Sequence, residues 1–299
     1  MLHRKMNTRS AYPAPSPANV DLPLVRQAPG HALAHIAFRG RADGSTGLAD
    51  LYQAAPLRVL RPRPLEAHVA EAVIANVGGG LVGGDRLDIT VAALAGAHAL
   101  ITTQAAEKVY RSLGANVTAR TQISVAPDAV LEWLPQEAIL FDGARLDRHT
   151  RVDVAPGGRL LAAESLVFGR SARGERFAHG YLAEAWRISR GGRAVWADAL
   201  ILDGAPLAII DHPAGLAGAG ALSTLVYVGD DAGDLLSDAQ DMAAAVPARA
   251  GVSLVAGVLV ARVMDRDATV ARAAFKSFVC AFRARALGRL AALPRVWSC

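Results

Sequence analysis

A pattern of two short strands of alternating residues, joined by a small-residue turn, recurs in the middle of the chain. It is clearest in two segments and looser in a third: TQISVAPDAVLEWL at 121–134, TRVDVAPGGRLLAA at 150–163, and DITVAALAGAHALIT at 88–102. From Val91 to Val125 to Val154 the spacing is 34 and then 29 residues. Repeats of this size indicate stacked β units that bury each other's apolar faces. The chain is therefore predicted to be mainly β, with stacked strands.

Other segments between residue 30 and about residue 228 also have the signature of strands. Leu87, Ile89 and Val91 alternate with polar residues, the period of two expected of a half-buried strand. Gly191-Gly192 separates two strand-like runs, and both positions tolerate positive φ, which predicts a two-residue hairpin.

A few helices are expected near the C-terminus, at about 231–246 and 267–290. Pro247 closes the first, and Asp267 is a candidate N-cap for the second. One face of the second helix forms an apolar stripe of Phe275, Phe278, Val279, Phe282, Ala286 and Leu290. The opposite face is predicted to carry Arg272, Lys276, Arg283, Arg285 and Arg289. The stripe is interpreted either as core packing or as a groove for a partner.

Residues 1–29 are predicted to be a disordered leader, and residues 30–299 the ordered part of the chain. The leader alternates Pro with Ala and Ser, a composition that buries too little surface to offset the entropy of ordering. No apolar segment follows Met1–Ser10, which argues against a signal peptide, and the longest apolar run, Val252–Val260, is too short to span a bilayer. A cytoplasmic protein with no membrane partner is expected.

The charge balance is basic, with 32 Lys and Arg against 27 Asp and Glu. The arginines are spread singly, without a dense basic run or interleaved aromatic residues, so a solvated surface is favoured over nucleic-acid binding. The two cysteines, Cys280 and Cys299, form neither a CxxC motif nor a disulfide framework.

The glycine cluster at 78–84 resembles a phosphate-binding loop only superficially. No Gly-Lys-Ser/Thr leads into a helix; Asp85 follows instead, and the next segment is strand-like. The glycines are interpreted as tight bends beside a strand. A hydrolase triad and a tight zinc site are also disfavoured, because there is no GxSxG elbow and the histidines are scattered; His31 and His35 fall in a strand-like segment.

Six carboxylates lie within or beside strongly apolar strands, where an unpaired charge is costly. They are Asp85, Glu107, Glu132, Glu137, Asp142 and Glu164. One interpretation is structural ion pairs with Arg86, Lys108, Arg111 or Arg145. The other is a row of oxygen ligands that holds a hydrated divalent cation weakly and releases it.

Four strings in order along the chain resemble the UreD (UreH) family of urease accessory proteins: GGLVGGDRL at 79–87, TTQAAEKVYRS at 102–112, LEWLPQEAILFDGAR at 131–145 and LPRVW at 293–297. PLRV at 56–59 and the segment with Phe168-Gly169-Arg170, Gly174-Glu175 and Phe177 support the resemblance, which extends from about Gly30 to Trp297.

The resemblance implies that residues 30–299 form a β-helical single domain with a few C-terminal helices. It also implies a protein without enzyme activity that serves nickel incorporation into apo-urease. It implies binding to apo-urease and to a UreF-like protein, which in turn binds a UreG-like GTPase. Nickel would be transient cargo in an internal channel, with no tightly bound cofactor. Under this hypothesis the lining groups are Asp85, Glu137, Asp142 and Glu164, in that order, with Ser112 as a further candidate. The stripe of Phe275, Phe278 and Phe282 would be core or a groove for the UreF-like partner.

Two alternatives come from other classes of function. Stacked strands that carry carboxylates also suit an enzyme with an acid/base carboxylate pair on a β-solenoid. A nucleic-acid binder would rest on the basic charge alone and predicts DNA affinity that falls steeply with salt.

Overall fold

The computed structural model describes residues 31–298; the expected leader lies outside the described residues. Within that range the chain forms strands β1 (His31–Gly40), β2 (Thr46–Ala54), β3 (Leu57–Leu60), β4 (Ala70–Asn76), β5 (Arg86–Ala93), β6 (His98–Gln104), β7 (Glu107–Val109), β8 (Val117–Val125), β9 (Val130–Leu134), β10 (Ala138–Leu140), β11 (Arg145–Val154), β12 (Arg159–Phe168), β13 (Gly180–Arg190), β14 (Arg193–Gly204), β15 (Ala221–Val228), β16 (Arg249–Val255) and β17 (Val258–Asp265).

The strands build two sheets that face each other. Sheet A has seven strands in the order β14-β13-β11-β8-β5-β1-β2, and sheet B has ten, in the order β16-β17-β15-β12-β9-β6-β4-β3 with β7 and β10 beside this path. Neighbours β5, β8, β11 and β13 are parallel, as are β4, β6, β9 and β12. The chain alternates between the sheets and winds one coil at a time, so the predicted β-helical fold is confirmed.

The pairing register corrects one part of the predicted repeat. Val125 pairs with Val154, as the two clear segments predict. In the looser segment Ala93, not Val91, pairs with Val125, and Val91 pairs with Ile123. The turns before β6, β9 and β12 each have four residues, with a left-handed third residue (Gly96, Asp128 and Gly157), so Ala93 and not Val91 is the position equivalent to Val125 and Val154.

Antiparallel hairpins end sheet A on both sides, β1–β2 at one edge and β13–β14 at the other. The predicted turn between β13 and β14 is confirmed. Gly191 and Gly192 have φ of 55° and 79°, and both lie in the left-handed region that a tight hairpin of this kind requires.

Three α-helices lie in the C-terminal third of the described chain: α1 (Leu207–Ile210), α2 (Leu236–Ala244) and α3 (Ala268–Leu287). The helix expected from residue 231 thus begins later, after a series of turns. The Asp267 side chain accepts a hydrogen bond from the Thr269 amide, which confirms the N-cap. Gly288, with φ of 63°, ends α3, so Leu290 lies beyond the helix and is exposed, contrary to its predicted place on the stripe.

Two hydrophobic cores result, one on each face of sheet B. The first fills the space between the sheets and the second lies between sheet B and helices α2 and α3. Phe275, Phe278 and Phe282 belong to the second core, each with at most 1% of its surface exposed. Tyr227 of β15 meets the Phe282 ring edge-on. The structure therefore assigns these rings to packing, the first of the two interpretations of the stripe.

The glycine cluster leads into β5 and not into a helix, in agreement with its interpretation as a set of bends. Gly80, with φ of 142°, is required sterically, because a Cβ there would lie 2.4 Å from the Tyr110 ring. Within residues 31–298, no helix is both long and apolar enough to cross a bilayer.

Candidate functional site

A row of polar residues interrupts the apolar space between the two sheets. On the inner face of sheet A, Thr121, Thr150, Trp186 and Asp198 are aligned across β8, β11, β13 and β14. Facing them on sheet B, Glu164 is aligned with Thr224 of β15, which pairs with Arg262 of β17. Polar groups in register on facing sheets form a line from the interior to the sheet edge.

Glu164 is the buried centre of this row, with 5% of its surface exposed. Its Oε1 accepts a hydrogen bond from Thr150 Oγ1 at 2.9 Å, and its Oε2 accepts one from Trp186 Nε1 at 3.2 Å. Arg148 Nη2 lies 3.3 Å from the same Oε2. Strand periodicity places these side chains together, because Arg148 and Thr150 are two residues apart on β11 and point to the same face.

A second carboxylate, Glu184 of β13, joins the centre. Arg148 donates to Glu184 Oε2 from Nε at 2.9 Å and from Nη2 at 2.6 Å, so one guanidinium contacts both carboxylates. Two carboxylates therefore share one guanidinium, and all three side chains are largely shielded from water.

The protonation of these groups is shifted by their surroundings. Burial is the main cause that raises the pKa of Glu164 well above its ordinary value; Arg148 opposes the shift and Glu184 adds to it. Burial disfavours the charge on Arg148, but Glu164 and Glu184 together raise its pKa above the usual value for arginine. Arg148 is therefore the fixed positive charge of this group.

A cavity of about 350 Å³ reaches this centre from the edge of the sheets, with Glu164, Glu184 and Trp186 in its lining. Asp198 and Arg262 line its more exposed end, where an ion pair between them joins β14 to β17 across the gap. We call the set Arg148, Glu164, Glu184, Asp198 and Arg262, with the cavity between them, the polar corridor. Its carboxylates can contact a cation, and the Asp198–Arg262 ion pair lines its outer end.

The other predicted lining residues lie elsewhere. Asp85 accepts from the Val82 amide in the glycine-rich turn, and Glu137 pairs with Arg272 of α3 at 3.1 Å. Asp142 accepts from the Ala178 and His179 amides. These contacts place the three carboxylates in separate settings outside the corridor.

Ser112, the further candidate, donates to the Ala115 carbonyl in a surface turn. Among residues 31–298, no three or more His, Cys, Asp and Glu side chains are grouped to hold a metal ion.

The ion-pair interpretation of the carboxylates was right for several of them but wrong about their partners. Glu132, Glu137 and Glu164 pair with Arg283, Arg272 and Arg148, none of which was proposed. The nearest basic residues in sequence have other contacts: Arg86 pairs with Asp88, and Arg145 donates to Asn116. The partners come from helix α3 or from the facing sheet, and not from neighbouring positions in the sequence.

Sequence reasoning missed Arg148 and Glu184, although the sequence contains a signal for both. Arg148 is in phase with the apolar Leu146 and Val152 of β11, and Glu184 is in phase with Leu182 and Ile188 of β13. A charged residue at an inward position of an alternating strand is either paired or functional. That signal identifies the corridor once the strands are located.

Comparison with known proteins gives a consistent result. The family model for the UreD urease accessory protein matches residues 30–298. Urease accessory protein UreD 2 of Methylorubrum populi is 43% identical over 258 residues, 86% of this chain and 85% of the relative. UreD 3 of Methylorubrum extorquens is 38% identical over 296 residues, 97% of each chain. UreD of Magnetococcus marinus is 42% identical over 261 residues, 85% of this chain and 89% of the relative. The match spans both sheets, all three helices and the polar corridor, and the chain belongs to the UreD family of urease accessory proteins.

Proposed function

We propose that the chain is a non-catalytic scaffold of urease maturation whose polar corridor passes nickel towards apo-urease. Membership of the UreD family supports a role in urease maturation. The single observation that carries the nickel assignment is the buried pair Glu164 and Glu184 at the inner end of a cavity that reaches the sheet edge.

The chemistry of the corridor suits transfer better than storage. Carboxylate oxygens bind first-row divalent cations less firmly than sets that include imidazole or thiolate. Within the corridor the charged ligands are carboxylates alone, and Arg148 already balances one of them. Nickel is accordingly transient cargo and not a resident cofactor.

The proposed partners are apo-urease, a UreF-like protein and a UreG-like GTPase, in a cytoplasmic complex. The glycine-rich turn leads into β5 and carries Asp85 after its last glycine, so nucleotide hydrolysis is assigned to the GTPase partner. Asp85, Glu137 and Asp142 lie outside the corridor, and their contribution to a nickel path stays a prediction.

The test is a double variant, Glu164→Gln with Glu184→Gln, which removes both charges and keeps the side-chain shapes. After co-expression with the urease subunits and partners, we expect intact co-purification of the UreF-like protein but less nickel in urease and less urease activity. Glu71→Gln is the matched control, since Glu71 is also a buried carboxylate but lies outside the corridor. Fully nickel-loaded urease from the double variant would disprove the corridor assignment.

A broader experiment tests the scaffold role itself. Deletion of the gene should leave urease assembled but poor in nickel and inactive. Restoring the wild-type chain should restore both nickel content and activity. Active, nickel-loaded urease in the deletion strain would be incompatible with a role in maturation.

A further inference from the structure

Arg148 is the basic side chain that neutralises the inner end of the polar corridor. It lies on β11, directly beside Glu184 on the adjacent strand β13, and faces Glu164 across the gap between the sheets. Its Nη2 atom contacts both carboxylates, at 2.6 Å from Glu184 and 3.3 Å from Glu164. Its side chain is 14% exposed, so solvent screens these contacts little.

We infer that Arg148 is a built-in counter-ion that competes with a divalent cation for the oxygens of Glu164 and Glu184, and thereby keeps cation binding weak and reversible. The inference rests on the proposed function, because it assumes that the corridor admits a divalent cation. It adds the element that determines how tightly the corridor holds its cargo.

The charges explain the competition. With both carboxylates ionised, Glu164 and Glu184 carry two negative charges and would match a divalent cation by themselves. Arg148 supplies one positive charge to the same oxygens, so a divalent cation at this place produces an excess of positive charge in a shielded interior. Binding of the cation then requires the guanidinium to give up contacts with Glu164 and Glu184. When these contacts form again, they favour release of the cation.

The directions of approach fit this competition. Glu164 and Glu184 line the cavity, whereas Arg148 does not line it and reaches both carboxylates from β11. A cation that arrives through the cavity and the guanidinium that is already present therefore approach the same two carboxylates. Thr150 and Trp186 donate to Glu164 and fix its orientation while the partners exchange.

The experiment measures Ni²⁺ binding to the purified full-length chain by equilibrium dialysis, with the metal alone as probe. Arg148→Met removes the counter-ion, and we expect it to bind Ni²⁺ at least about tenfold more tightly than wild type. The double variant Arg148→Met with Glu164→Gln should return to about the wild-type affinity, which shows that the gain comes from the freed carboxylate. The tenfold figure corresponds to about 1.4 kcal/mol of binding free energy.

Arg148→Lys is a second variant that tests the inference if Arg148→Met does not fold. Lysine keeps the charge, but its single ammonium cannot reproduce the contact of both Nε and Nη2 with Glu184, so a smaller gain in Ni²⁺ affinity is expected. Circular dichroism shows which variants are folded. Unchanged or weaker Ni²⁺ binding in every folded Arg148 variant would overturn the inference.

Urease activation separates this inference from the proposed function. If Arg148→Met binds Ni²⁺ more tightly and delivers less of it to urease, both stand. If it binds more tightly but no corridor variant alters urease activation, the counter-ion role stands and the transport role fails.

Discussion

The guanidinium of Arg283 and the carboxylate of Glu132 face each other through two hydrogen bonds, from Nε to Oε2 at 2.8 Å and from Nη2 to Oε1 at 2.9 Å. Each side chain is 1% exposed, and the pair joins α3 to β9 across the second core. Arg283 also donates to the carbonyls of Leu290 and Ala292, which holds the segment after α3 in place. This one arginine therefore connects sheet, helix and C-terminal segment.

Glu132→Gln should strongly destabilise the fold. Removing one partner leaves the Arg283 charge buried with only Glu66, 3.5 Å away, to balance it, and we expect a loss of about 3–5 kcal/mol in the free energy of unfolding. Arg285→Met is the control, because Arg285 pairs with Asp238 on the surface and such a pair contributes about 0–1 kcal/mol. Urea denaturation measures both, and equal losses would contradict the assigned role of the buried pair.

Stability should fall on mild acidification because of His98. Its Nδ1 accepts from Arg289 Nη2 at 2.9 Å, and burial, followed by the charges of Arg289, His68 and Arg159, lowers the His98 pKa below 6.5. The unfolded chain then binds a proton more readily than the folded one. The contribution to stability is complete above pH 6.5 and is lost as the pH falls from 6.5 through the folded-state pKa.

His98→Asn tests this assignment, because asparagine offers an acceptor near the Nδ1 position and does not titrate. Denaturation midpoints compared between about pH 7.5 and about pH 5.5 should fall less for the variant than for wild type. The same fall in both proteins would show that other groups account for the pH dependence.

Gly80→Ala and Gly79→Ala should differ in how much they destabilise the fold, although the two glycines are adjacent. Both have positive φ, but an added Cβ has no neighbour within 4 Å at Gly79, whereas at Gly80 it meets the Tyr110 ring and lies 2.9 Å from the Lys108 carbonyl. We expect a loss of about 1 kcal/mol at Gly79 and about 1–3 kcal/mol more at Gly80. Thermal and urea unfolding give the comparison; a smaller loss at Gly80 would rule out the steric explanation.

Trp297 should anchor the C-terminal segment. Its ring is buried in the second core, and its Nε1 donates to Thr102 Oγ1 of β6 at 2.9 Å. Trp297→Ala should cost about 3–5 kcal/mol. Trp297→Phe keeps most of the packing but leaves Thr102 without its donor, so a loss of about 1–3 kcal/mol is expected. Two losses of similar size, both below about 1 kcal/mol, would show that the segment does not anchor the fold.

The stacked strands and α3 could be predicted because local rules determine them. Alternation of apolar residues located the strands, and Asp267 marked the start of α3. Its end also had a local signal, since Gly288 favours the left-handed conformation that stops a helix and leaves Leu290 outside. The looser segment was aligned two residues out of place, because Ala93-Leu94 stand where the clear segments have Val-Ala, although the turn itself is the same in all three coils.

The ion pairs show what local reasoning leaves out. Arg283 was assigned to the exposed face of α3 by its charge, yet it is four residues after Val279 and three before Ala286, on the apolar stripe itself. The corridor required more, because Arg148 meets Glu164 only when the two sheets face each other and meets Glu184 only when β13 pairs with β11. The alternation of residues along each strand indicates that these side chains point inward, but the distances between them depend on how the sheets pack.

The hairpins at the two edges of sheet A have a consequence for self-association. A parallel solenoid with open ends invites another copy to continue the stack, and repeated addition would give a fibre. Here β2 and β14 both run against the direction of the inner rungs, so an incoming rung meets a strand of opposite polarity. Reversal of the terminal strand thus removes the parallel edge on which another copy would continue the coil.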